Sequence, residues 1–367
     1  MTDTSLAAVF SAPGQPLALQ RFPLPSLKTG EVLVRVSCCT LCGSDIHSFQ
    51  GRRSTPVPTI LGHEIIGRIA DLGSGGPVLA HDGRPLKIGD RITWSIAASC
   101  HHCFFCEHDI PQKCEHLFKY GHERISSTHP FSGGLAEHCH LAPGTAILRV
   151  PDSLSDHVAT PANCATATVA AAFRVAGPCA QQTVLIQGAG MLGLTACAMA
   201  AARGASQVIV SDVDSARLDL SARFGATHPV NVKDDPEALS GLVKNLTASR
   251  GVDMAIELSG AASSMDAAIP LLRIGGRYVL VGAVFPGRPL SISPEMIVRR
   301  LLTVQGMHNY IPADLAEAVS FLAKHHARYP FADLVAAHFP LTRIADAFAY
   351  AIEKRPLRVA VQMDQAS

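Results

Sequence analysis

The chain reads as a two-domain α/β protein, with a mainly-β first part followed by a doubly wound parallel sheet covered by helices. Three observations predict this. The 367 residues exceed what one ordinary core organises. The first 150 or so are short alternating segments broken by Gly, Pro and Asp-Gly. From about Pro161 the texture changes to apolar strands alternating with Ala-rich helical stretches.

Taken in order, residues 31–37 (EVLVRVS), 62–70 (GHEIIGRIA) and 90–94 (DRITW) alternate apolar and polar and are predicted strands. Turn residues at 73–77 and 81–85 separate them. In the second part, 183–187 (TVLIQ) is a predicted strand, then a Gly-rich turn and a helix over 192–203. A strand at 207–211 precedes a helix over 215–224, and strands follow at 230–232, 252–258 and 277–282. Such βαβ alternation demands a parallel sheet, because each crossover returns the chain in the same direction. The final strand, 358–363 (RVAVQM), is expected to return to the first domain. The expected boundaries are 1–160, 161–305 and 306–367.

Composition narrows the function classes. A net charge of +1 supplies no basic stripe for nucleic acid, and 17% charged residues among recurrent apolar runs exclude a disordered chain. The small-apolar stretch over 159–176 is interrupted by Asn163 and Arg174, too polar for a membrane span. The start, MTDTSLAAVFSAPG, lacks the basic patch and apolar core of a leader, so a cytoplasmic location is expected. Eleven cysteines, four of them crowded between Cys100 and Cys114, point to metal rather than disulfides.

Cys100, Cys103, Cys106 and Cys114 are spaced C-x2-C-x2-C-x7-C. Four thiolates on one short lobe close a tetrahedral shell around zinc and leave no position for chemistry, so the site is structural. An iron–sulfur cluster takes the same four donors. His101, His102, His108 and His116 lie in the same lobe.

Gly188-Ala-Gly-Met-Leu-Gly193 reads G-x-G-x-x-G between a strand and a helix, the context a dinucleotide turn requires. Gly188, Gly190 and Gly193 let the backbone approach a pyrophosphate at the helix N-terminus. Asp212 closes the next strand, where a carboxylate takes the ribose hydroxyls and repels a 2′-phosphate, favouring NAD over NADP. Arg217, five residues on, is a cation that could receive that phosphate.

Cys42 opens CGSDIH (42–47), and His63 lies in GHE (62–64). Singly, each reads as a core residue. With the cysteine lobe and the dinucleotide turn, in this order along nearly the whole chain, the sequence resembles the zinc-containing medium-chain dehydrogenases. The resemblance implies a GroES-like catalytic domain beside a Rossmann domain, two zinc ions per chain and NAD. It implies that Cys42 and His63 hold the catalytic zinc, with Cys164 as third ligand and Glu64 behind or on the ion. Asp45 would then orient His63, while Ser44 and His47 relay the hydroxyl proton to solvent. Arg358 matches an arginine that neutralises the pyrophosphate, and in such relatives a basic residue where Arg217 stands commonly accompanies NAD use. Gly43 departs from the cation common in alcohol dehydrogenases and resembles the polyol and threonine branches, which place Glu where Cys164 stands.

The expected activity is hydride transfer from an alcohol to NAD by a homodimer or homotetramer. The oligomer would be joined along a sheet edge such as 277–282. Arg52, Arg53, Lys119, His122, Arg124 and His129 would line a pocket for an anionic substrate. The wording at 118–123, 133–138 and 161–164 resembles a bacterial subgroup proposed to act in phosphonate catabolism. A zinc-free quinone or enoyl reductase would lack Cys42, His63 and the cysteine lobe. A non-catalytic dinucleotide-sensing protein would tolerate loss of Ser44 or His47.

Overall fold

A computed structural model of the chain describes residues 4–363. Residues 1–3, where the segment read for a leader begins, and 364–367 lie outside the described part. The described residues fall into two units, divided between Cys164 and Ala165. The first unit runs through Cys164 and resumes over Ile311–His326 and from Phe331 onward; the second holds Ala165–Tyr310 and Ala327–Pro330.

The first unit is built on a seven-stranded sheet whose centre is Val32–Leu41. Its sequence VLVRVSCCTL alternates only at Arg35 and Ser37, and is otherwise buried. Both long edges of this strand are paired antiparallel, one with Glu64–Leu72 and the other with Arg358–Gln362 and His138–Leu141. Trp94, Tyr120, Phe131, Ile65 and Leu135 are fully buried in the associated core. The expected strand at 62–70 begins two residues later, at Glu64, because Gly62 takes a left-handed φ of +86°. A Cβ there would also lie 2.6 Å from Cys39 Sγ, so glycine is required on both counts. The final strand joins this unit by pairing Val359 with Leu41.

The second unit is a six-stranded, all-parallel sheet in the spatial order third, second, first, fourth, fifth, sixth. Its strands are Thr183–Gln187, Gln207–Asp212, His228–Asn231, Val252–Glu257, Leu272–Leu280 and Thr303–Gly306. Helices Met191–Ala202 and Ser215–Arg223 match the sequence expectation within one residue at each end. Of the segment expected as an exposed edge, 277–282, residues 277–280 instead belong to Leu272–Leu280, which is paired on both sides. The sheet ends at Thr303–Gly306, whose short TVQG sequence carries too weak a signal to be recognised from pattern alone. No described helix is long and apolar enough to cross a membrane.

Candidate active site

Strand pairing brings the separated site residues together. Thr40 is opposite Glu64 and Leu41 opposite Val359. Cys42, His63 and Arg358 each sit one or two residues beyond those pairs, so three strand ends converge. Asp45 then ties two of them. As the third residue of helix Gly43–Phe49 it accepts the Cys42 N–H through Oδ2 at 2.9 Å, the reach-back half of a capping box. Its Oδ1 accepts the Gly62 N–H at 3.1 Å and lies 3.3 Å from His63 Nδ1. The residue implied to orient His63 therefore also fixes the backbone at Cys42 and at Gly62, just before His63.

Cys164 arrives by a different route. It closes the helical turn Thr160–Asn163, and Asn163 clamps that turn to the sheet. The Asn163 side chain accepts the Ile65 N–H at 3.2 Å and donates to the Trp94 carbonyl at 3.0 Å. The donor atoms of Cys42, His63 and Cys164 all lie within 4.8 Å of one another. His63 is buried, but Cys42 and Cys164 remain partly open, so the group is approachable from one side.

This donor set fits zinc. Two sulfurs and an imidazole at these separations suit an ion with Zn–S near ~2.3 Å and Zn–N near ~2.0 Å, with one position left over. The two thiols are strongly unequal. A hydrogen bond from Cys164, aided by the Arg358 guanidinium, holds Cys42 well below the usual thiol range, while the same contact raises Cys164. Burial opposes a charged His63, but the Asp45 carboxylate and the Cys42 sulfur overcome it and push the ring up to about 10.

Glu64 and Arg358 meet each other beside this group. Glu64 stands outside the ligand group: it is fully buried and spent on Arg358, which donates from Nε and Nη2 at 2.7 Å each, and on Thr40 Oγ1 at 2.6 Å. A carboxylate already holding three donors has little left for a metal. Arg358, which the resemblance implies for the pyrophosphate, is 5% exposed, with Nη2 also 3.7 Å from Cys42 Sγ. Burial requires such a charge to be paired, and Glu64 is the partner that the Thr40 register delivers.

Around this centre, Ser44 Oγ lies 3.3 Å from His63 Nε2. His47, one turn on, is half-buried; burial, then Arg52, lowers its pKa. The His47 carbonyl accepts the N–H groups of Arg52 and Arg53 at 2.9 and 3.2 Å. Arg53 donates from Nη1 to His122 Nε2 at 2.5 Å, while His122 Nδ1 donates to the Tyr120 carbonyl at 2.8 Å. That arrangement requires a neutral ring, and burial together with His63 and Arg53 holds the His122 pKa well below normal. The His122 and His63 rings are 5.2 Å apart. Burial and then Arg53 lower Lys119 to about 8, and the Cys42 and Cys164 sulfurs also act on it. Arg52 and Arg124 are exposed, and His129 pairs elsewhere. The six-residue cationic wall thus contracts to Arg53, Lys119 and His122.

The second ligand set is local. Cys100, Cys103, Cys106 and Cys114 have their sulfurs within 4.8 Å of one another, and none of the four neighbouring histidines joins them. The lobe hangs from a two-stranded ribbon, Ala97–Ala98 with Phe118–Lys119, which also presents Lys119. The N–H groups of Cys100 and His116 point to Cys114 Sγ at 3.2 and 3.3 Å.

In the second unit, Gly190 caps helix Met191–Ala202, and no side chain makes a cap hydrogen bond there. A Cβ at Gly193 would fall 1.8 Å from the Gly188 carbonyl, and Gly188 itself has φ +96°. Gly188 and Gly193 are consequently closed to any larger residue, and the helix start that follows the turn is placed for an anion. Asp212 Oδ2 accepts the Ala189 N–H at 2.5 Å, and Oδ1 accepts those of Val213 and Asp214 at 2.7 and 3.0 Å. The helix cap is Asp214, which takes the Arg217 N–H at 3.2 Å and lies 3.6 Å from Arg217 Nε.

One chain thus carries a closed four-sulfur shell, an open sulfur–imidazole shell and a dinucleotide-type turn, which is the equipment of a zinc dehydrogenase. Comparison with known proteins agrees. Residues 28–152 match the alcohol dehydrogenase GroES-like domain, and residues 192–324 match the zinc-binding dehydrogenase domain. The chain is similar to 5-exo-hydroxycamphor dehydrogenase of Pseudomonas putida, 32% identical over 87% of this chain and 88% of that one. It is similar to L-threonine 3-dehydrogenase of a Shewanella species, 29% identical over 78% and 79% of the two chains. Among solved structures, an alcohol dehydrogenase from Thermotoga maritima superposes with a TM-score of 0.93 at 29% identity, over 98% of this chain and all of that one. The chain belongs to the zinc-containing medium-chain dehydrogenase family, oxidoreductases that act on CH–OH groups.

Proposed function

We propose that this dehydrogenase oxidises an anionic hydroxy compound, with NAD as hydride acceptor. The observation that carries the substrate class is the convergence of Arg53, Lys119 and His122 beside Cys42, His63 and Cys164. Two cations held half-buried beside a metal shell suit a substrate whose tail is a carboxylate, phosphate or phosphonate. Cys42, His63 and Cys164 would hold a zinc ion, which would supply Lewis acidity toward a substrate hydroxyl, and a bound nicotinamide would supply the hydride acceptor. Ser44, next to the shell, receives the hydroxyl proton, and His47, one turn away and toward solvent, passes it on. Asp45 keeps His63 Nδ1 facing a carboxylate, which reserves Nε2 for the ion.

NAD rather than NADP is supported by Asp212 at the end of the second strand and by Arg217 being drawn to Asp214. A chain ready for the 2′-phosphate would offer that cation unpaired. A homo-oligomer is supported by the edge strand Thr303–Gly306 and the adjacent Leu301, which is 72% exposed. Light scattering of the purified chain reads that directly, and a monomer would remove this part of the proposal.

The substrate class is tested with Arg53→Ala and, as a control on the exposed neighbour, Arg52→Ala. Arg53→Ala is expected to raise KM for a hydroxyalkylphosphonate or hydroxyacid about tenfold or more while leaving that for a neutral alcohol of the same size nearly unchanged, as loss of one charge-assisted contact implies. Equal effects on both substrates would overturn it.

A further inference from the structure

Away from both cysteine sets, Glu31, His129 and His140 bring three donor atoms within 4.8 Å of one another. The pairing of Leu33 with His140 explains two of them, since Glu31 lies two residues before Leu33 and shares its face of the sheet. His129 comes from the loop that follows the cysteine lobe, and its ring stacks on that of His140, 4.8 Å away at 17°. Glu31 and His140 are 4% and 1% exposed.

The hydrogen bonding of this cluster does not close. His140 Nδ1, His140 Nε2 and His129 Nε2 are all buried without a hydrogen-bond partner. His140 Nε2 is 3.1 Å from Glu31 Oε2, but not aligned as a hydrogen bond, and that oxygen already accepts the Lys28 N–H at 2.8 Å. Orphaned, buried nitrogens on two stacked imidazoles are costly unless something else satisfies them, and one ion can take a nitrogen from each ring.

We propose that Glu31, His129 and His140 form a third metal site, a two-histidine, one-carboxylate shell for a divalent transition ion such as zinc. That donor set suits zinc, iron(II) or manganese(II), and three protein ligands leave room for water. The protonation states agree: burial holds both imidazoles neutral, and although burial opposes it, the Lys28 amide and His140 keep the Glu31 carboxyl ionised. The neighbouring charges are Lys28, which opposes a cation, and Glu123, which favours one. Bound there, the ion would pin the loop carrying His129 to the strands holding Glu31 and His140. The upstream end of that loop contributes Lys119 and His122 to the catalytic pocket, so the ion would be a positioning element for the pocket wall.

The test is metal stoichiometry of the full chain, independent of turnover. Purified protein equilibrated with zinc and then freed of loosely held ion is expected to retain one equivalent more than the two cysteine sets account for. His129→Ala, at a half-buried and therefore tolerant position, and Glu31→Gln are each expected to lose that one equivalent and keep the others. Cobalt(II) loaded into this site should give weak visible bands without the near-ultraviolet thiolate absorption of the cysteine sites, and His129→Ala should abolish those bands. Wild-type protein that saturates at the two cysteine sets, or variants that bind as much metal as wild type, would overturn the proposal; the cobalt spectrum decides the matter if Glu31→Gln does not fold.

Discussion

The two cysteine-bearing metal sets are made in opposite ways. The four-sulfur lobe draws every ligand from 100–114 and leans on little beyond its own turns and the short ribbon at its neck. The Cys42–His63–Cys164 set draws on three segments, and each is held by a different device: a helix start, a strand start and an Asn-clamped turn. A local set can close completely around an ion. An assembled one retains an open side, because its ligands are placed by the sheet rather than by one another. Closure gives stability and openness gives chemistry.

That contrast can be broken in order of effect. Cys42→Ala or His63→Ala should lower kcat/KM by about a thousandfold or more, since the Lewis acid is lost, and remove one zinc while the lobe keeps its own. Metal analysis beside kinetics checks it, and loss of both ions would show that the sets are not independent. Cys106→Ala should do the reverse. The lobe ion goes, the melting temperature falls by several degrees, and the catalytic ion remains. Arg358→Met should cost about 3–5 kcal/mol in denaturant unfolding, because it leaves Glu64 as a buried, unpaired carboxylate. The double change Arg358→Met with Glu64→Gln should recover part of that loss, which would place the pair in the support of the site rather than in its ligand shell.

The smallest effect is one of pH. Lys119 sits at about 8, so its charge is present below that pH and disappears above it. KM for an anionic substrate should therefore rise as pH passes through about 8, and the rise should be absent in Lys119→Met. A profile unchanged by that substitution would assign the charge to Arg53 alone.

Much of this was legible in the residues. Strand–turn–helix order around 183–203 and the spacing of four cysteines are local patterns, and local patterns follow from helix and strand periodicity and from ligand reach. Cys42 and His63 were legible only by their company. The pairing of Arg358 with Glu64 went unread because each is defined by the other, 294 residues away, and no local signal reports a partner at that distance. Asn163 went unassigned for the same reason, since its two hydrogen bonds reach Ile65 and Trp94. The edge was misassigned because the four-residue strand Thr303–Gly306 carries too little pattern to be read, which left 277–282 as the last visible strand.

By itself, then, the sequence determined the two architectures, the closed cysteine shell and the dinucleotide turn, all of which depend on residues close together along the chain. Only the tertiary structure decided that Cys164 rather than Glu64 joins Cys42 and His63. It also decided that, of the six residues expected to line the pocket, Arg53, Lys119 and His122 gather beside that centre, and that Glu31 meets two histidines. Those outcomes rest on strand register, in which one step carries every side chain to the opposite face of the sheet, and on turns fastened to the sheet from afar, as Asn163 fastens the turn before Cys164.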